Sequence, residues 1–295
     1  YTYTDNFFGP IQNIAEQFNR LQAGIVSSSR IFNILDMEST VKNKVEPLKI
    51  DTFKGKIEFK HVYFAYENDD YILEDVSFVI NPKQTVAFVG ATGAGKSTIL
   101  SLIVRNYDIQ KGQILIDDID IKEIDINCLR NKIGQMLQDV FLFSGTIKDN
   151  ITLFNDSIDE EEIKKACDYV NASSFINNLE NGLLTKVSEK GSNFSSGQRQ
   201  LISFARTILS KPQILILDEA TSTIDTETEV LIQDSLQKMK NIGTMLVVAH
   251  RLSTIQNADN IICLGHGKII EQGTHQELLK KKGYYYKLYQ LQFKD

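Results

Sequence analysis

The sequence predicts an α/β fold with a mainly parallel core sheet, and three observations carry the prediction. The first is an apolar run, Thr85-Val86-Ala87-Phe88-Val89, that passes through Gly90-Ala91-Thr92-Gly93-Ala94-Gly95-Lys96-Ser97-Thr98 into a second run, Ile99-Leu100-Ser101-Leu102-Ile103-Val104. That order reads as strand, glycine-rich turn and helix, the context in which G-x-x-x-x-G-K-[ST] cradles phosphate. The second is a set of continuous apolar stretches, Gln213-Ile214-Leu215-Ile216-Leu217, Met245-Leu246-Val247-Val248 and Ile261-Ile262-Cys263-Leu264, as expected of strands covered on both faces. The third is that helical patterns separate these stretches, which favours parallel pairing through crossover helices.

Taken in order, Ile11, Ile14, Phe18, Leu21, Ile25, Ile31 and Leu35 recur at near-helical spacing, predicting an amphipathic helix over residues 1–36. Its apolar stripe needs a partner, and packing on its own domain or on another element are both open. Residues 37–56 mix charges with Pro47 and Gly55 without clear periodicity and read as a linker. Residues 57–80 alternate apolar and polar around Glu67-Asn68-Asp69-Asp70, predicting a β-hairpin or short meander ahead of the strand that leads into the glycine-rich turn. Tyr63, Phe64 and Tyr66 end its first strand; one of them is a candidate to stack on a nucleobase, with core packing as the alternative for each. Lys111–Asp117 is a further turn and strand, and Ile133–Leu137 runs into Gln138-Asp139. From Gly145 to about Leu209 the pattern turns helical, and Gly191–Gln198 interrupts it and opens a helix through Leu201, Phe204, Ala205 and Ile208. Thr274-His275-Gln276-Glu277 is a capping box, so His275 is expected to be structural, and Tyr284–Leu291 forms a final amphipathic helix.

Composition excludes several classes. A 42% hydrophobic and 24% charged chain of 295 residues is ordinary for a globular protein. Its net charge of -6 offers no general basic face, so nucleic acid is not an expected partner. Cys128, Cys167 and Cys263 are widely spaced and odd in number, which suits buried thiols rather than disulfides or a metal cluster. No apolar run approaches the roughly 18 residues of a membrane span, and no signal peptide is visible. The first residue is Tyr1 rather than Met, so a piece of something longer is expected.

The phosphate chemistry follows from residue types. Glycines let successive backbone N–H groups point into one concavity, and the helix start behind adds positive partial charge. Lys96 is placed to reach the β- and γ-phosphates of a nucleoside triphosphate, and the Ser97 hydroxyl to ligate Mg²⁺. The buried strand 214–217 ends in Asp218-Glu219. Asp218 is a candidate to hold Mg²⁺ through water, and Glu219 to act as general base toward the γ-phosphate.

Together these motifs resemble the nucleotide-binding domain of an ATP-binding cassette (ABC) transporter of the exporter type, in which membrane helices precede the cassette on one chain. Phe194-Ser195-Ser196-Gly197-Gln198 resembles the family signature LSGGQ, Val248-Ala249-His250-Arg251 its switch-histidine segment, Ala220–Asp225 the loop after the acidic strand, and Gln138-Asp139 its glutamine loop. The motif resemblance runs from Tyr66 to about Gln292 and is weaker before that. It implies an ABC cassette of the P-loop NTPase class over residues 57–295, with an N-terminal antiparallel β subdomain, an inserted α-helical subdomain at about 140–210, and Tyr66 stacking on adenine. Gly90, Thr92, Gly93, Ala94, Gly95, Lys96, Ser97 and Thr98 would bind ATP. Ser97, Gln138 and Asp218 would hold Mg²⁺, and Glu219, His250, Gln138 and Lys96 would serve hydrolysis. Gln198 and Asp225 are further nucleotide-binding positions that the resemblance implies, and Ser195 and Gly197 would act in trans on the ATP of another cassette, so the implied partners are a second cassette and the chain's own transmembrane domain. Residues 1–36 then resemble the end of the last membrane helix and its extension at the cytoplasmic face of the membrane, and Lys186–Gly191, with Glu189, the loop that touches it. The implied activity is ATP hydrolysis driving export. Phe194 and Ser196 depart from the signature, leaving homodimer and heterodimer both open. An importer subunit, or a soluble cassette acting on nucleic acid or ribosomes, is the alternative; the latter usually carries coiled-coil inserts, paired cassettes or basic surfaces, none of which is visible.

Overall fold

The computed structural model describes residues 2–67, 70–136, 140–218, 225–248 and 252–293. The chain divides into two units, 1–42 and 43–295. The first is dominated by one helix, α1 (Thr2–Leu35), with Pro10 inside it. Ile14, Phe18, Leu21 and Ile25 along it are each at least 60% exposed, so the stripe that sequence periodicity picks out stays uncovered. Among the described residues no helix is long and apolar enough to cross a membrane.

The second unit is organised on a six-stranded sheet of β6 (Ile133–Met136), β9 (Ile214–Asp218), β10 (Thr244–Val248), β3 (Thr85–Gly90), β11 (Asn260–Gly265) and β12 (Lys268–Gly273), side by side in that order. The first five pair in parallel, and β12 closes the edge antiparallel to β11. The unbroken apolar runs have a simple cause. Side chains alternate across a strand, and both faces here are covered. Ala87, Val89, Leu215, Leu217, Met245 and Val247 point into one core with Leu201, Phe204 and Leu236. Val86, Phe88, Ile214, Ile216, Leu246 and Val248 point into the other with Ile99, Leu102, Phe59 and Phe78.

That second core is roofed by an antiparallel sheet of β2 (Leu73–Ile80), β1 (Ile57–Phe64), β4 (Lys111–Ile116) and β5 (Ile119–Asp120). In β1, Ile57 and Phe59 are buried, and then Val62 and Phe64. The change of parity coincides with a register shift between Phe59 and Val62, where His61 adopts φ 46°. A bulge therefore keeps all four side chains on the core face, and Phe59 stacks on Phe78 with centroids 4.4 Å apart.

On the other side lie α4 (Ile147–Thr152), α5 (Glu160–Tyr169), α6 (Ser173–Ile176) and α7 (Ser196–Leu209), with a short pair β7 (Gly145–Thr146) and β8 (Lys186–Val187). Buried Asn150 ties this region together. Its side chain receives the Phe143 N–H at 2.8 Å and donates to the Phe143 and Thr146 carbonyls, while Arg206 from α7 donates to the Asn150 carbonyl at 2.8 Å. The remaining helices are α2 (Lys96–Ile103), α3 (Ile126–Asn131), α8 (Thr226–Met239), α9 (Leu252–Gln256), α10 (His275–Lys281) and α11 (Tyr284–Phe293). The Thr274 capping box forms as expected, and His275 Nδ1 meets the Tyr285 hydroxyl at 2.7 Å. Cys167 and Cys263 are buried, and burial pushes both thiols up to about 12; Cys128 is half-buried on α3.

Residues 43–56, read from the sequence as part of a linker, belong to the second unit. The Asp117 carboxylate accepts from the backbone N–H groups of Lys54, Gly55 and Lys56 at 2.6, 3.1 and 2.9 Å. The Gly55 carbonyl accepts from Thr244 Oγ1 at 2.7 Å, and Phe53 is buried. The segment lacks periodicity because it is held by single polar contacts from two different sheets rather than by a repeating face. Asp117→Ala should lower stability by about 1–3 kcal/mol, the cost of orphaning partly buried donors, with Asp117→Asn intermediate; denaturant titration measures it.

Candidate functional site

The site forms where three strands end together. Phe88 pairs with Val248, and Val248 with Asp218. The carboxyl ends of β3, β10 and β9 are thereby level, the edge at which parallel α/β sheets bind ligands. A cavity of about 450 Å³ opens there, lined by Thr92, Gly93, Gly95, Lys96, Ser97 and Thr98 from the turn and α2, by Asp218 and Val248 from the strand ends, and by Tyr66 and Ile72.

The turn's course depends on two glycines. Gly95 caps α2 at φ 98°, where a Cβ would lie 2.6 Å from Leu73 Cδ2. Gly90 leaves β3 with its Cα so close to β11 that a Cβ would lie 2.3 Å from the Leu264 carbonyl oxygen. Gly90 and Ala94 do not line the cavity: Gly90 shapes the strand exit and Ala94 is buried beneath the turn.

Lys96 is only 7% exposed, and its ammonium donates to the carbonyls of Gly90 at 2.8 Å and Ala91 at 3.0 Å. Burial pulls its pKa down from the ordinary lysine value, and the negative charge of Asp218 pulls it back up. The Ser97 hydroxyl donates to Asp218 Oδ2 at 3.4 Å. A cation, a hydroxyl and a carboxylate thus converge beside the N-terminus of a helix. Tyr66, 48% exposed, also lines the cavity, its hydroxyl 3.2 Å from Thr98 Oγ1.

The other candidates lie apart from this cavity. Ser195 caps α7: its Oγ accepts from the Gln198 N–H at 3.2 Å, and the Gln198 side chain accepts from the Ser195 N–H at 3.1 Å. Ser195 is exposed and Gly197 buried in the first turn. Asp225 caps α8 by accepting from the Thr228 N–H at 2.9 Å, a bond that holds its carboxyl below the usual range. Neither helix start lines the cavity that holds Lys96. Gln138, Glu219 and His250 lie outside the described residues. Ile72 and Val248, not singled out as site residues from the sequence, line the cavity as ordinary apolar side chains that carried no signal of their own.

The ABC transporter family profile matches residues 73–222, which hold both the phosphate-binding turn and Asp218. An ABC transporter ATP-binding protein of Streptococcus pneumoniae is 47% identical over 290 residues, covering 98% of this chain and 49% of that protein. A fatty acid ABC transporter ATP-binding/permease protein of Mycobacterium bovis is 42% identical over 286 residues, 97% of this chain and 45% of that protein. Among solved structures, a bacterial Atm1-family ABC exporter with ATP bound superposes with a TM-score of 0.83 at 35% identity, covering 94% of this chain and 49% of the other. The chain spans about half the length of the curated relatives it matches.

Proposed function

The chain belongs to the ABC transporter family, and from that premise we propose that it is the ATP-binding and ATP-hydrolysing cassette of an exporter whose membrane domain lies on the same polypeptide. The observation that carries the proposal is the single cavity in which Lys96, Ser97, Asp218 and an exposed Tyr66 face the same space at the carboxyl edge of the sheet. ATP is the substrate that fits it: an aromatic ring for a base, and a lysine, backbone amides and a helix N-terminus for phosphates. Relatives named for both ATP-binding and permease functions favour this reading over a separate importer subunit.

The donor set suits Mg²⁺. Ser97 Oγ and Asp218 Oδ2 are hard oxygen ligands 3.4 Å apart. These two residues, with Gln138, would hold the ion, whose chemistry when bound is to neutralise phosphate charge. Lys96 would leave its own loop carbonyls for phosphate oxygens. We assign Glu219 the role of general base and His250 contact with the γ-phosphate, from their places in the sequence. Ser195, Gly197, Gln198 and Asp225 would serve a second cassette's ATP, which accounts for their separation from Lys96. Two cassettes sandwiching ATP would part on hydrolysis and switch the membrane domain. Residues 1–36 we assign to the cytoplasmic extension of that domain, with the cassette on the cytosolic face.

Light scattering on the Glu219→Gln chain tests the shared-site mechanism. The expected result is a monomer that becomes a dimer only with ATP and Mg²⁺. A chain that binds ATP yet stays monomeric, and pairs only when a different cassette is added, would overturn the homodimer in favour of a heterodimer. A dimer indifferent to nucleotide would overturn ATP-dependent pairing.

A further inference from the structure

We propose that Tyr107 and Gln110, on the segment leaving the phosphate-binding helix, are positioning residues that hold the Tyr66 ring ready for the nucleobase. The inference rests on Tyr66 being the base platform.

Tyr66 stands in a loop beyond β1, where no strand partner fixes it. The Gln110 side chain takes that place. Its amide oxygen accepts from the Ala65 N–H at 3.0 Å, and its amide nitrogen donates to the Ala65 carbonyl at 2.8 Å. One side-chain amide thus copies the two-bond pairing of a neighbouring strand, at the residue directly before Tyr66. Tyr107 then meets the Tyr66 ring edge-on, with centroids 5.0 Å apart and planes at 85°. Both rings rest on buried Phe64, at 4.9 Å from Tyr66 and 5.7 Å from Tyr107. The supporting segment is itself anchored, since buried Arg105 bonds Asp108 at 3.0 Å and the Ile121 carbonyl at 3.2 Å.

Tyr66 and Tyr107 stay 48% and 42% exposed although held in place. A ring fixed while its face remains open is organised before the ligand arrives, so binding need not meet the cost of ordering it. Neither Tyr107 nor Gln110 lines the phosphate cavity. Their influence should therefore fall on the base and spare the phosphates.

The test compares the affinity of MgATP with that of magnesium tripolyphosphate, which has phosphates and no base, by calorimetry on the 295-residue chain. Tyr107→Ala and Gln110→Ala should each weaken ATP roughly three- to tenfold, the scale of an aromatic pair or a preorganised loop, and leave tripolyphosphate unchanged. Tyr107→Phe, which keeps the ring, should retain ATP affinity. If Tyr66→Ala weakens ATP alone while Tyr107→Ala and Gln110→Ala do not, the positioning role is overturned and the base platform stands. If Tyr66→Ala leaves ATP affinity intact, the base platform itself fails. Equal losses for ATP and tripolyphosphate would assign the two residues to the phosphate loop and overturn the proposal. Should Tyr107→Ala fail to fold, Gln110→Met decides, because it keeps the length of the side chain and removes both bonds to Ala65 without adding charge: weakened ATP with unchanged tripolyphosphate supports the positioning role, and unchanged ATP overturns it.

Discussion

Lys96→Ala is expected to weaken ATP binding about 10- to 100-fold, the largest effect on affinity of any single change in the cavity. The Lys96 ammonium is nearly buried, hydrogen-bonded to two carbonyls of its own loop, and burial has already lowered its pKa. Those carbonyls are neutral acceptors; phosphate oxygens are charged ones. The ammonium's bonds are charge-assisted in both states, and exchanging the first acceptors for the second adds ion pairing; hydrogen bonds to charged groups are worth about 1.5–3 kcal/mol, and about 1.4 kcal/mol is tenfold in affinity. Because the lysine is largely desolvated before ATP arrives, little is lost on the way in. Calorimetric titration with MgATP measures the change, and ATP-dependent thermal protection, which follows occupancy, should shrink with it. Lys96→Arg should not restore binding, since the planar guanidinium cannot fold back into the space between Gly90 and Ala91. Unchanged affinity in Lys96→Ala would refute the phosphate-loop assignment.

How much of this was legible in the sequence depends on the range of the interactions. Four strands of the central sheet were, because burial on both faces writes an unbroken apolar run into each of β3, β9, β10 and β11, whereas the edge strand β12, half-exposed along its length, carries no such run. The turn was, because its glycines, Lys96 and Ser97 act within nine consecutive residues. Asp218 was legible as the polar end of such a run. The antiparallel roof was legible as alternation, but not its bulge at His61, which exists to restore a parity that the sequence alone shows only as an irregularity. The short strands β5, β7 and β8 carry too few residues to show any period. Least legible were contacts between distant segments. Gln110 and Ala65 are 45 positions apart, and Thr244 and Gly55 are 189 apart; the pairing of β4 with β1 brings the first two together, and the second pair joins a strand of one sheet to the segment that enters the other. A glutamine following a helix has no signature until its partner's place is known. That Ser195 does not line the cavity of Lys96 agrees with the family resemblance, which implies that the two serve different ATP sites.

Glu219→Gln should lower steady-state ATP hydrolysis about 10²- to 10⁴-fold, the contribution of a positioned general base, while ATP affinity stays within about threefold of the unaltered chain. Glutamine matches the length and the carbonyl acceptor of glutamate, so contacts with bound nucleotide survive; what it cannot do is take a proton from the attacking water. The adjacent carboxylate provides the contrast. Asp218 lies at the end of β9, 3.4 Å from the Ser97 hydroxyl, in the cavity that holds Lys96. Asp218→Asn should therefore reduce Mg²⁺-dependent ATP binding as well as turnover, whereas Glu219→Gln should separate the two. Phosphate release and calorimetric ATP titration on both variants give the four numbers required. Near-normal turnover in Glu219→Gln would assign the base elsewhere. Equal losses of binding and turnover in both variants would mean that the two carboxylates act together on the metal, leaving proton abstraction to a group outside the pair.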